Sequence, residues 1–494
     1  MVSERLDVLI VGAGLSGIGA AAEILRALPT TRLAVLEARE ALGGTWDVFR
    51  YPGMRSDSDM HTLGYRFRAW TGSGRTASGD EIRHYLQDTV AEHDLTRHIH
   101  LRHRVVAAHW HTDEACWHVE VEVSGGDDAQ PLRRTVRTRF LYACTGYYRM
   151  GQGHRPRWEG EHAFTGTWVH PQHWPAALEV SGRRVVVIGS GATAVTLVPA
   201  LAARGAHVTM LQRSPSYVDV RSQQDPVARA LLNGLPPRMA GTLLRHLHAA
   251  RQVLVHRLSR LWPETARRHL LRGVSRALGP RQDLLPHFTP SYRPWDQRVC
   301  LAPDGDLFTA LREGRAEVIT DRIARVRPDG LELASGRHLP ADILVTATGL
   351  DLLALGGMSL TVDGTPVVLR RTFSHRGMML AGVPNFAYAF GYTHASWTLR
   401  AELATDQVVR VLRHLTRTGL RQCTPRAPAD LRTDRRLDFT PGYVLRNLHC
   451  FPKAGNQGPW RTPDNALLDR WRIRLAGVDD GALVFDNPTP RTSR

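Results

Sequence analysis

Lysine is almost missing from this chain: Lys453 is the only one among 64 basic residues. The rest are arginines, which leave a formal net charge of +17 against 47 acidic residues. These arginines are dispersed and are not interleaved with aromatic side chains, so the focused basic stripe of a nucleic-acid binder is absent. No nucleic acid is expected as a partner. The charge predicts attraction to anionic surfaces and to a phosphate-rich ligand. Cysteine is also scarce. Cys116, Cys144, Cys300, Cys423 and Cys450 form no Cys-x-x-Cys pair, which excludes a disulfide scaffold, a zinc knuckle and a dithiol redox centre, and no metal site is expected. Long apolar runs are missing too, so nothing in the chain reads as a membrane span. The N-terminus enters LDVLIVGAG without a secretory leader, which predicts a cytoplasmic protein.

What is present is glycine in two telling places. GAGLSG (Gly12 to Gly17) and GSGATA (Gly189 to Ala194) each follow an apolar β-branched run, VLIVGAG and VVVIGSG, and each opens onto an alanine-rich stretch. Strand, tight turn and helix in that order make a dinucleotide site of an otherwise weak glycine pattern. Glycine lets the backbone approach a pyrophosphate, and the following helix N-terminus adds its partial positive charge. Two such loops predict an α/β chain with two Rossmann-like domains and two nucleotides. At 494 residues there is room for both with full-sized cores.

The second strand of the first unit, RLAVLEARE, ends in Glu37, about 20 residues past the last loop glycine, where a carboxylate binds a ribose hydroxyl. The corresponding strand of the second unit ends Leu211-Gln212-Arg213-Ser214. An acid there would repel a 2′-phosphate, whereas Arg213 can clamp one and Ser214 can donate to it. The expected pair of nucleotides is therefore FAD on the first loop (Gly12, Gly14, Gly17) and NADPH on the second (Gly189, Ser190, Gly191). The predicted domains are 1–150 with 351–494 for FAD, and 151–222 with 287–350 for NADPH. Between 223 and 286, apolar residues at helical spacing alternate with Arg and His, which predicts a helical insertion packed against its own domain. A basic amphipathic helix can also rest on a bilayer, so peripheral membrane contact stays open. The Arg- and Pro-rich tail after about Thr424 is expected to wrap the surface.

Between the loops lies FTGTWVHPQHWP, residues Phe164 to Pro175. It fits the Phe-x-Gly-x-x-x-His-x-x-x-Trp-Pro pattern of type I Baeyer–Villiger monooxygenases at Phe164, Gly166, His170, Trp174 and Pro175. The related flavin-containing monooxygenases usually carry Tyr or Phe where Trp174 stands. A second pattern of the family fits Gly43, Gly44, Trp46, Tyr51, Pro52, Gly53 and Asp57. The chain resembles that family from end to end.

The resemblance implies that NADPH reduces FAD, that reduced flavin captures O2, and that a flavin C4a-peroxide converts a ketone to an ester or lactone. Sulfides or thioamides would be oxidised as well, and an enzyme acting mainly on sulfur or nitrogen is the alternative. By position, Arg298 in PWDQR matches the catalytic arginine and Asp57 the carboxylate that holds it. His170 is implied to couple nicotinamide binding to domain motion. Ser16, Thr45, Trp46, Asp47 and Val105 would contact the flavin nucleotide, with Ser16 facing the pyrophosphate. Thr193 and Ala194 would begin the helix beneath the NADPH phosphates. One departure stands out: many relatives place Lys before the arginine, where this chain has Gln297, so Arg213 carries the 2′-phosphate preference.

Overall fold

The computed structural model describes residues 5–487 except 73, 126–129, 393, 435–441 and 463–464. The chain opens with β1 (Arg5–Val11), α1 (Leu15–Ala27) and β2 (Leu33–Leu36). An antiparallel run follows, made of β3 (His103–His111), β4 (Cys116–Val123) and β5 (Leu132–Ala143). The second unit contains β6 (Thr167–Val169), β7 (Arg184–Ile188), α2 (Ala192–Ala203) and β8 (His207–Gln212). After it come three helices, α3 (Pro226–Gly234), α4 (Pro237–Leu261) and α5 (Pro263–Leu278). Strands β9 (Ala316–Thr320), β10 (Ile343–Thr346) and β11 (Phe386–Tyr388) return to the two sheets. The long helix α6 (Trp397–Thr418) and α7 (Ala466–Leu475) follow.

In the first sheet β1 lies between β2 and β5, parallel to both. Val8, Leu9 and Ile10 are fully buried, as expected of a strand covered on both faces, which reads as a continuous apolar run. The N-terminal half of β5 pairs antiparallel with β4, and its last residues pair parallel with β11. The second sheet is wholly parallel, in the order β9-β8-β7-β10-β6. The fold is α/β with two Rossmann-like units. Residues 167–169 of the FTGTWVHPQHWP segment form the edge strand β6, paired with β10.

The chain passes between the sheets twice, and the two passages are laced together. Arg149 donates its N–H to the Asp351 carbonyl (2.9 Å), and Leu353 donates to that of Tyr147 (3.0 Å). An Arg149–Asp351 ion pair at 2.8 Å closes the same stretch.

The helical insertion is present, but it does not pack as expected. Only α5 joins the core of its own unit, through Val274 and Leu278. Helix α4 docks on the first unit instead. The buried Arg245 donates to the carbonyls of Thr62 (3.0 Å) and Gly64 and pairs with Glu402 at 2.7 Å. His248 meets Asp59 at 2.6 Å, and Gly241 brings the helix against Ala69, whose Cβ would lie 2.2 Å from an added side chain. Apolar spacing alone predicts the wrong face because the buried one mixes Arg245, His248 and Ser259 with small residues and the single Leu244. The outward face carries Met239, Leu243, Leu247, Leu254, Leu258 and Leu261 in the open.

The tail also departs from expectation. α7 packs on α6 and α4, Leu483–Asp486 pairs with Gln422–Pro425, and Ile473 and Leu483 lie in the core. Elements this short carry no readable periodicity in the sequence.

Candidate active site

A cavity of about 1360 Å³ opens where the two glycine loops face each other. Both loops sit at the carboxyl ends of parallel strands, where α/β sheets bind ligands. In the first loop Gly12 has φ +103°, and a Cβ there would stand 2.7 Å from the Cys144 carbonyl oxygen. A Cβ on Gly17 would meet the Gly12 carbonyl oxygen at 1.8 Å. Gly17 is therefore a packing glycine beneath the turn and does not reach the cavity, while Gly12, Gly14 and Ser16 do. Thr45, Trp46 and Val105 line the same end.

Glu37 lies at this end with its carboxylate accepting from the N–H groups of Ala13 (2.7 Å) and Arg39 (3.0 Å). Burial pushes its pKa up, opposed by those two donors. Asp47 is the exception in its segment. It is buried and gripped by Arg39 at 2.6 Å and by Arg50, and it does not line the cavity. Its carboxylate serves to fix the GGTW turn.

At the second loop Gly189 has φ +141°, with the Ala347 carbonyl oxygen 2.3 Å from a would-be Cβ. Gly191 has open space in the same direction, which leaves room for a phosphate. Ser190 Oγ lies 3.0 Å from the Ser214 carbonyl oxygen and 2.9 Å from Ser216 Oγ. Thr193, Arg213 and Ser214 line the cavity, with Arg213 and Ser214 exposed at the end of β8. Ala194 is fully buried in the core of the second unit, one position too far along α2 to reach a ligand.

Arg298 and Asp57 meet at the boundary between the two ends. The guanidinium engages both carboxylate oxygens, Nη2 to Oδ1 at 2.9 Å and Nε to Oδ2 at 2.8 Å. Both side chains keep part of their surface open, 38% and 30%. A two-point contact fixes the plane of the cation as well as its position.

His170 stands apart from this wall and does not line the cavity. Its Nδ1 accepts from the Gln172 N–H at 3.2 Å and so caps the turn Pro171–His173. Gly153 is packed on its ring, with a would-be Cβ 1.9 Å from Cε1. Burial, helped by the nearby charge of His173, pulls its pKa down to about 4.

Residues 10–88 match the NAD(P)-binding Rossmann-like domain, and residues 77–250 match the flavin-binding monooxygenase-like family. The FAD-containing monooxygenase EthA of Mycobacterium tuberculosis is 47% identical over 492 residues, covering 99% of each chain. The chain belongs to the FAD-containing monooxygenases. Another member, the probable FAD-binding monooxygenase AlmA of Acinetobacter baylyi, is 43% identical over 100% of this chain and 98% of its own. The fold of this monooxygenase matches that of a steroid monooxygenase solved with NADP, at TM-score 0.75 and 20% identity, over 98% of this chain and 100% of the other. It also matches that of cyclohexanone monooxygenase, at TM-score 0.73 and 19% identity, over 98% and 100%.

Several residues that line the monooxygenase's cavity escaped sequence reasoning. Tyr147 and Tyr148 come just after the 144–146 segment that follows β5, and their hydroxyls lie 2.8 Å apart. Their place just past a strand's carboxyl end was the available signal. Arg446 enters from the tail, where no local pattern announces it. Burial and the charge of Arg213 lower its pKa against the pull of Asp351. Away from the cavity, Asp59, Asp225 and His248 place ligand atoms within 4.8 Å of one another. Arg75 already lies 3.0 Å from Asp225 and 3.7 Å from Asp59, so this cluster reads as part of the docking of α4.

Proposed function

We propose that this protein is an NADPH- and O2-dependent Baeyer–Villiger monooxygenase that converts ketones to esters or lactones and also oxidises sulfides. The observation that carries this reading is the two-point Asp57–Arg298 pair in the cavity shared by both nucleotide loops. The first loop fits FAD: Gly12, Gly14 and Ser16 bring backbone and hydroxyl to the cavity wall, and Glu37 stands at the ribose position. The second loop fits NADPH through Gly191, Arg213 and Ser214. When bound, the flavin carries electrons from the nicotinamide to O2.

The chain's own contribution is electrostatic and spatial. Arg298 supplies a fixed cation where negative charge develops, and such a preorganised charge in a partly desolvated site is worth several kcal/mol, about 3 per donor. Asp57 sets its plane. Arg213 holds the 2′-phosphate. His170, neutral and wedged on Gly153, acts as a mechanical part of the segment between the units rather than as a proton carrier.

The test is to supply the purified protein with NADPH, O2, and a ketone and a sulfide in competition. Ester or lactone heavier than the ketone by one oxygen atom is expected, and its formation should depend on Arg298. Oxidation of the sulfide alone, at a rate unchanged by Arg298→Ala, would refute the ester-forming assignment.

We also propose peripheral contact with an anionic bilayer through the outer face of α4. Its exposed leucines continue into Trp262 and, on α7, Leu467, Trp471 and Leu475, and the chain's positive charge supports this reading. Co-sedimentation with phosphatidylglycerol vesicles, weakened by Leu254→Glu with Leu258→Glu, is the expected result. Equal recovery of both proteins in the supernatant would refute it.

A further inference from the structure

Trp397 is the first residue of α6, which begins just past the Gly391 loop. Its side chain reaches back to the first glycine loop. Indole Nε1 lies 2.7 Å from Ser16 Oγ, although the two residues are 381 positions apart in the chain. The indole also stacks on Tyr147, with ring centroids 5.1 Å apart and planes at 19°. Gly391 lies under the indole: a Cβ there would stand 2.3 Å from Cε3. Ser16, Tyr147, Tyr392 and Trp397 all line the cavity. The aromatic pair runs from Ser16 of the flavin loop, through Trp397, to Tyr147, which lies in the field of Arg298 and Asp57.

The chemistry of the contact has only one sense. An indole N–H donates and cannot accept, whereas a serine hydroxyl can do both. Ser16 must therefore accept from Trp397. Its single proton remains for another acceptor, and no described residue takes it. Ser16 is 7% exposed and sits in the first turn of α1, at the mouth of the loop. A hydroxyl that receives one hydrogen bond and gives another is a better donor than either alone, because the two bonds polarise each other.

We infer that Trp397 is a positioning residue for FAD, acting through Ser16: its indole N–H fixes the serine rotor so that the hydroxyl proton points to the pyrophosphate. The same ring supports Tyr147, whose hydroxyl lies in the field of Arg298 and Asp57. One side chain thus couples cofactor retention to the shape of the substrate pocket. This inference rests on the reading of the first loop as the FAD site.

The test is a double-mutant cycle read by FAD affinity, measured by titrating FAD into apoprotein and following quenching of its fluorescence. Trp397→Phe keeps the stack and removes the donor. It should weaken FAD binding about five- to tenfold, the effect of one hydrogen bond to a group that contacts charge. Ser16→Ala should weaken it at least as much, and adding Trp397→Phe to Ser16→Ala should change nothing further. Trp397→His retains a flat ring with an N–H and should lie nearer to wild type than Trp397→Phe. Wild-type affinity in Trp397→Phe overturns the inference, as does a double variant whose loss is the product of the two single losses. Failure of wild-type apoprotein to bind FAD at all would instead refute the underlying reading of the loop.

Discussion

Arg298 and Asp57 are 241 residues apart in the chain and meet through both carboxylate oxygens. The pair joins the GGTW-to-Asp57 loop of the first unit to the PWDQR segment of the second. Asp57→Ala should leave the cation in place but free to rotate. Ketone-dependent product formation should fall about 10- to 100-fold in Asp57→Ala and about 100- to 1,000-fold in Arg298→Ala. Product measured by mass alongside NADPH consumption checks this, since NADPH consumption should persist without product.

Replacement of Arg213 by Ala should act on one cofactor only. A lost charge-assisted hydrogen bond corresponds to about 1.5–3 kcal/mol, so kcat/KM for NADPH should fall by roughly 10- to 100-fold. The value for NADH should stay near wild type. Steady-state kinetics with both nucleotides at fixed ketone decides the matter, and equal losses would move the 2′-phosphate elsewhere.

His170 links stability to pH in a definite sense. Its folded pKa, about 4, lies below the value of about 6.5 for an exposed histidine. Protonation therefore favours the unfolded chain. The stabilising contribution is present in full above about pH 6.5 and is lost as pH falls toward 4. Between pH 7 and pH 4.5 the urea midpoint of wild type should drop more than that of His170→Gln. Parallel drops would show that the imidazole is not held neutral.

Arg245 and Glu402 make a buried pair at 2.7 Å between the helical insertion and the first unit. Removing one partner of such a pair strands the other, at a cost of about 3–5 kcal/mol. Arg245→Met should lower stability by that order in urea unfolding. Glu402→Gln in the same chain should restore part of it, because the stranded carboxylate is gone.

The readable parts of the molecule were those whose function constrains backbone and spacing together. The two glycine loops, Glu37 and Arg213 were visible because strand, turn and helix follow one another within a few residues. Asp57 and Arg298 were legible only through motifs, since nothing local says that two distant loops will touch. Asp47 misled because its neighbours Thr45 and Trp46 face the cavity while its own side chain turns inward to Arg39 and Arg50. Ala194 sits one residue after Thr193, and that step along a helix carries it to the core side. Trp397 was invisible as a partner of Ser16 for the same reason as Arg245 was for Glu402: pairing across 381 and 157 residues leaves no periodic trace. The docking of α4 by Arg and His also inverts the ordinary rule that apolar residues mark the buried face.

The laced passages at residues 147–149 and 351–353 have a mechanical consequence. A single covalent strand between two bodies permits swing and twist in any direction. Two strands tied by backbone hydrogen bonds and by Arg149–Asp351 resist twist better than either alone. The docked helix α4 and the Asp57–Arg298 pair tie the units at further points. The mutual placement of the two nucleotide loops is therefore over-determined, and no single joint sets it.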